Sequence, residues 1–256
     1  FRPGVMDRLN IGYNDLNQIN NRIVYAAISG FGDPRSGKSP YFNWPSYDVV
    51  AQAMGGLMGL TGANRDNPTK VGPGIGDIFS GMMMSFGILA ALRHVDATGQ
   101  GQFVDLSMYD AMISLCERGV YQYDFNGVPP VPEGNGHPLI APFGIFKTKD
   151  GHIALGIVDD NFWSKLVLIM DKPELKNNPN FATKAGRQKN AKQVNHLVEE
   201  WTLEKTKDDL VKLLGGEVPF GPVNSMADIF NDPHVKARKM IVDVPNYNPK
   251  YKPWRM

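Results

Sequence analysis

Ile78 to Leu92 is an uninterrupted run without charge, mostly apolar, flanked by glycines on one side and by Arg93 on the other. A stretch of that length and character predicts a buried helix. Directly before it stands Gly74-Ile75-Gly76-Asp77, a lone acid behind two flexible residues. At a helix N-terminus the free backbone N–H groups and the positive end of the dipole favour a carboxylate, so the plain reading of Asp77 is an N-cap. The glycines point further. They let another backbone or a ligand come close to the carboxylate, which a simple cap does not need.

A chain of 256 residues can hold one large or two modest domains, and 42% hydrophobic with 21% charged residues is ordinary for a globular protein. Lys and Arg number 27 against 26 Asp and Glu, a net charge of +1, so neither nucleic acid nor membrane is expected as a partner. The single cysteine, Cys116, excludes an internal disulfide framework and suits a cytoplasmic setting, and its apolar neighbours predict a core position. The Ile78–Leu92 run is shorter than the roughly 20 residues needed to cross a bilayer. Because the sequence starts at Phe1 without methionine, it is expected to be an incomplete chain.

Apolar spacing predicts a helix over 5–20, a buried strand over 22–29, a helix over 47–60, the Asp77 helix, a strand over 102–107 and a helix over about 108–123. Alternating strands and helices argue for an α/β layer structure. Residues 126–142 hold five prolines and read as a linker. Beyond them, Lys149-Asp150-Gly151 marks a hairpin between 144–148 and 153–158, with helices expected near 160–170, 186–203 and 206–214. The division expected is a large α/β domain over 1–125, a linker over 126–142, a small α+β domain over 143–228, and a segment over 229–256 that returns to the large domain through a strand at 241–244.

Gly32-Asp33-Pro34-Arg35-Ser36-Gly37-Lys38-Ser39 matches the phosphate-binding loop of nucleotide hydrolases. That loop has to open a helix, and here Pro40 and Pro45 frame bulky aromatics where the helix should run, so the match is read as a decoy. His94, His137, His152, His196 and His234 lack ligand spacing, and no metal site is expected.

Several phrases occur in order along the whole chain: Phe1-Arg2-Pro3-Gly4, Ile28-Ser29-Gly30-Phe31-Gly32, Tyr47-Asp48-Val49-Val50-Ala51-Gln52-Ala53, Gly76-Asp77, Gly87-Ile88-Leu89-Ala90-Ala91-Leu92, Thr98-Gly99-Gln100-Gly101-Gln102, Asn135-Gly136-His137-Pro138 and Phe220-Gly221-Pro222-Val223. In these the sequence resembles the class III (CaiB/BaiF-type) coenzyme A transferases. The resemblance implies a Rossmann-like large domain whose N-terminal part is missing here, a smaller α+β domain, and an interlaced homodimer with active sites between the large domain of one subunit and the small domain of its partner. It implies that Asp77 is the nucleophile, that acyl-CoA and a carboxylic acid are the substrates, and that no cofactor is tightly held. Phe1, Arg2, Arg8, Tyr47, Asp48, Gly76 and Met108 fall at positions associated with substrate or CoA, and Gly134-Asn135-Gly136 with a mobile glycine-rich lid. Four of these have a plainer reading as well: surface charge for Arg2 and Arg8, core for Met108, interdomain linker for the Gly134-Asn135-Gly136 loop.

The chemistry suits an aspartate. At an ordinary pKa of about 3.9, only about one carboxyl in a thousand is protonated near neutrality, so no base is needed to ready the nucleophile. Attack on a thioester would give an aspartyl anhydride, then an aspartyl-CoA thioester. A racemase is the nearest alternative. It needs an acid/base pair beside the thioester carbonyl, and those relatives carry a histidine where this chain has Tyr47, a residue type with a pKa near 10. An inactive fragment of a transferase is the remaining reading.

Overall fold

The computed structural model describes residues 1–246, 250 and 253–255. The chain divides into two compact units, Phe1–Gly134 and Asn135 onward, so the boundary falls inside the proline-rich stretch 126–142.

In the first unit the helix expected over 5–20 is two short ones, α1 (Val5–Arg8) and α2 (Tyr13–Ile19). Asn10 takes a left-handed φ of 55° and Gly12 is extended, which interrupts the 3.6-residue repeat. Asp15 restarts it by accepting a hydrogen bond from the Gly12 N–H at 3.1 Å. Strand β1 (Val24–Ser29) pairs in parallel with β2 (Gln102–Ser107), from Val24 opposite Gln102 to Ser29 opposite Ser107. Parallel strands need a long crossover, and here it carries α3 (Asp48–Met54), α4 (Leu57–Leu60) and α5 (Ile75–Thr98). After β2 come α6 (Met108–Leu115) and α7 (Glu117–Asn126). The predicted helix over 47–60 is likewise broken, at Gly55-Gly56, where Gly56 takes a left-handed φ of 92°.

Two expectations about burial fail in this unit. Strand β1 is half-buried at best, because the sheet is two strands wide. Helix α5 packs on β1, β2, α3 and α6 through one face only. Gly76, Ser80, Met84, Ala91 and Val95 lie inside, whereas Ile78, Met82, Phe86, Leu89 and Leu92 are exposed. At 24 residues α5 is also longer than the apolar run, and by length and composition alone it could cross a membrane. Cys116 is buried as predicted, and burial first, then the neighbouring Glu117, pushes its thiol pKa up.

The second unit begins with the predicted hairpin, β3 (Phe143–Thr148) against β4 (Gly151–Gly156), followed by α8 (Asp160–Ile169), α9 (Lys184–Lys189), α10 (Ala191–Leu203) and α11 (Lys207–Leu214), with β5 (Phe220–Pro222) closing the sheet beside β4. Asn190 splits the helix expected over 186–203 into α9 and α10. Val194, Val198 and Trp201 form the inner stripe of α10 and join Trp163, Leu166, Val167, Ile153 and Leu210 in the core. Short helices α12 (Met226–Asn231) and α13 (Pro233–Ala237) follow. The strand expected at 241–244 is β6 (Asp243–Val244), which pairs antiparallel with β7 (Trp254–Arg255). Residues 247–249, 251–252 and 256 of the expected return segment lie outside the described residues.

Candidate active site

Pro73 and Gly74 end the loop before α5, and Ile75, Gly76 and Asp77 form the helix's first turn. Asp77 is therefore at the third helical position, not at the N-cap, which is Gly74. Its carboxylate is exposed and makes no hydrogen bond or ion pair among the described residues. A side chain tying down its own helix end would show a bond to a first-turn N–H. None is present, so the capping reading fails and a free anion stands at the positive end of a long helix.

The neighbouring carboxylate behaves in the opposite way. Asp48 opens α3, and its Oδ1 accepts from the Gly76 N–H at 2.8 Å. Both Asp48 oxygens accept from Gln52 Nε2 at 2.9 Å, and Lys70 Nζ lies 3.8 Å from Oδ2. Gln52 is completely buried, and its Oε1 accepts from the Val71 N–H at 3.0 Å. The glycine at 76 has a steric cause: a Cβ there would sit 3.0 Å from Asp48 Oδ1 and 3.3 Å from the Asp48 carbonyl oxygen. The two carboxylates flank Gly74, whose Cβ position is 3.7 Å from Asp77 Oδ2 and 4.0 Å from Asp48 Oδ1.

A cavity of about 340 Å³ gathers four of the other predicted residues, Phe1, Arg2, Tyr47 and Met108, with Ser29 and Trp44. Its shape comes from the loop over 31–47, the phosphate-loop look-alike, which runs without a helix to Asp48 as the prolines predicted. Aromatic packing holds that loop: buried Phe31 lies between Tyr41 and Tyr109, and the Tyr41 and Trp44 rings are 4.7 Å apart. Ser107 Oγ donates to the Gly30 carbonyl at 3.3 Å and the Tyr109 N–H donates to it at 3.1 Å, joining the ends of β1 and β2 to the start of α6. This seats Met108 in the wall. Tyr47 is 78% exposed, and the Ser29 hydroxyl is buried without a hydrogen-bond partner among the described residues.

Arg8 is exposed and lines none of the described cavities with these residues. A second cavity of about 190 Å³ shares Phe1 and Arg2 and adds Arg35, Asp33 and Asp105. The Arg35 guanidinium, bonded to Asp33 at 2.8 and 2.9 Å, holds the Asp33 carboxyl below the usual carboxylate range. Burial pushes Asp105 up. Gly134, Asn135 and Gly136 are exposed; Gly134 belongs to the first unit, where its N–H donates to the Gly62 carbonyl at 3.0 Å, and the other two to the second. Among the described residues no group of histidines, cysteines and acids could hold a metal.

Gln52, Lys70, Ser29 and Trp44 were not singled out from the sequence. The spacing of Asp48 and Gln52, four apart on one helix, was the available signal for that pair. Ser29 and Trp44 carry no such periodicity.

The chain matches CoA-transferase family III over residues 1–255. It is 42% identical over 244 residues to the succinyl-CoA:mesaconate CoA-transferase of Haloarcula hispanica, covering 95% of this chain and 61% of that protein. With the acetyl-CoA:oxalate CoA-transferase of Acetobacter aceti it shares 33% identity, covering 94% and 62%. The crystal structure of a CAIB/BAIF family protein from Brucella suis superposes with a TM-score of 0.84 at 33% identity, over 99% of this chain and 68% of that one. The mixed α/β architecture is that of the CaiB/BaiF proteins, and the chain spans about three fifths of the length of the curated relatives it matches. By the extent of these matches, the chain belongs to CoA-transferase family III.

Proposed function

We propose that the protein moves coenzyme A from an acyl-CoA to a free carboxylic acid through a covalent intermediate on Asp77. The observation that carries this reading is the exposed carboxylate at the first turn of α5, without a partner among the described residues, beside a neighbouring acid engaged by Gly76 and Gln52. An Asp77 oxygen attacks the thioester carbonyl carbon and CoA leaves as its thiolate, giving a mixed anhydride. The thiolate attacks the aspartyl carbonyl, releasing the donor acid and leaving an aspartyl-CoA thioester. The acceptor carboxylate attacks that thioester in turn, and the returning thiolate takes the acceptor's acyl group from the second anhydride, restoring Asp77. Each intermediate hydrolyses readily, so the site has to exclude water while it exists.

Arg2 is the group of the 340 Å³ cavity suited to phosphates of CoA, and Met108, Phe1 and Tyr47 supply apolar wall. Tyr47, in place of a histidine, leaves no imidazole to take a proton beside the thioester carbonyl, which favours transfer over racemisation. Gly134-Asn135-Gly136 is assigned as the lid and the parent protein as an interlaced homodimer, both supported by the family resemblance. The relative at 42% identity is named for succinyl-CoA and mesaconate, so succinyl-CoA is the donor to assay first, with short dicarboxylic acids as acceptors.

Full-length protein incubated with succinyl-CoA and quenched with hydroxylamine is expected to carry a hydroxamate at Asp77, read by peptide mass spectrometry. Asp77→Asn is expected to bind CoA and transfer nothing. Label at another residue, or turnover in Asp77→Asn, overturns the assignment.

A further inference from the structure

We propose that Gln52, acting with Asp48, is a positioning residue for catalysis: the pair, Gln52 fully and Asp48 partly buried, fixes both ends of the segment that presents Asp77. The proposal rests on the reading of Asp77 as nucleophile.

The segment from Lys70 to Gly76, the loop and the start of α5, contains Gly72, Gly74 and Gly76, and Pro73 is the one residue in it whose φ is fixed by its own ring. Its two ends are held by one helix. Gln52 Oε1 takes the Val71 N–H at 3.0 Å, Asp48 Oδ1 takes the Gly76 N–H at 2.8 Å, and Gln52 Nε2 joins the two side chains at 2.9 Å to each carboxylate oxygen. A carboxamide is the group this place requires. It accepts from one loop end while donating to the anion that grips the other. Aliphatic replacements do neither, and glutamate accepts but presents a second anion to Asp48. Lys70, 3.8 Å from Asp48 Oδ2, also donates to the Val71 and Gly72 carbonyls at 2.7 and 3.1 Å, so the cation that faces the anion belongs to the same loop.

Asp77 directly follows the residue that Asp48 holds. Its exposed carboxylate has no bond among the described residues to orient it, so its aim is set by the backbone of the first turn. A nucleophile misplaced by about 1 Å loses about 10²-fold in rate. The pair is thus expected to act on the chemical step and leave substrate binding alone.

The test is Gln52→Met in the full-length protein, with kcat and KM for succinyl-CoA and the rate of hydroxylamine labelling at Asp77. The expected result is a kcat lowered about 10- to 100-fold, labelling slowed in proportion, and KM within about threefold of the parent. Gln52→Glu, equal in length and polar, is measured by the same criteria should the methionine variant not fold. Unchanged kcat with normal labelling overturns the proposal and leaves the Asp77 reading standing. A raised KM at constant kcat, or failure of both variants to fold, also overturns it, because Gln52 then serves binding or folding. Absence of Asp77 labelling in the unsubstituted protein removes the Asp77 reading, and this proposal with it.

Discussion

The two units distribute their apolar residues in opposite ways. From Asn135 onward, sheet and helices enclose one continuous core in which Trp163, Leu166, Val167, Val194, Val198, Leu210 and Leu214 are completely buried. Arg187 is completely buried too: it donates to the carbonyls of Ala141, Phe181 and Ala182, lies 5.3 Å from the Trp163 ring, and pairs with Asp160 at 2.9 Å through a contact too bent for a hydrogen bond. The Phe1–Gly134 unit has a buried cluster of Ala51, Met108, Ala111 and Met112, with Leu57, Ile75, Phe79, Met83 and Leu115 packed against it, beside a two-stranded parallel sheet and a helix with five large apolar residues exposed in this span of the chain. Parallel strands are usually covered on both faces and two strands alone are marginal. Asp77, Asp48, Gln52 and the lined cavity all lie in the thinly packed unit. Within this span of the chain, the site lies in the unit with the smaller buried cluster.

The contrast is broken most directly by truncating each core. Trp163→Ala is expected to destabilise the second unit by about 3–5 kcal/mol, because it empties the contact with Phe181 and the stacking partner of Arg187. Met112→Ala in the first unit is expected to cost about 2 kcal/mol, the low end for methionine, since the buried cluster it belongs to is the smaller one and much of what packs against it is only partly buried. Urea unfolding followed separately in each unit measures both. Equal losses would show that the smaller cluster is as well packed as the larger.

A smaller effect sharpens the comparison within the first unit. Gly76→Ala presses a methyl 3.0 Å from Asp48 Oδ1, so either the first turn of α5 or the carboxylate moves by a few tenths of an ångström. The expected stability change is about 1 kcal/mol, against a clear loss of turnover. An unaffected kcat would show that the first turn tolerates displacement.

How legible this was depended on whether a residue's role followed from local pattern. The second unit's elements follow apolar periodicity and the Lys149-Asp150-Gly151 turn, and Asn190 is the main place where an expected helix divides. In the first unit the apolar run 78–92 predicts a helix correctly but not its exposure, because a run that is apolar on every side reports composition and not which side is covered. The glycines before Asp77 carried real information, yet only the fold shows what approaches Gly76: the Asp48 carboxylate, 28 residues earlier. Gln52 reads as an ordinary polar helix residue until Val71 is brought to it across 19 positions. The strand expected at 241–244 is only two residues long, β6, and pairs with β7 close by in sequence, a pairing that two residues are too few to announce.

The finest distinction concerns pH. In the first unit two carboxylates respond in opposite senses. Asp33 is lowered by the Arg35 guanidinium, so its contribution is present above the ordinary carboxylate pKa and is lost as pH falls through its lowered folded value. Asp105 is raised by burial, so its contribution works against the folded state as pH rises from the ordinary value through the raised one. Because the Arg35 side chain is 34% exposed, solvent screens the Asp33 pair and its share is about 1 kcal/mol or less. Thermal unfolding of Asp33→Asn from pH 7 to pH 2.5 is expected to start below the parent and converge with it at the acid end, because the parent alone has this contribution to lose. A constant offset between the two curves would mean that Asp33 stabilises through its bonds to the Arg35 backbone and not through its charge.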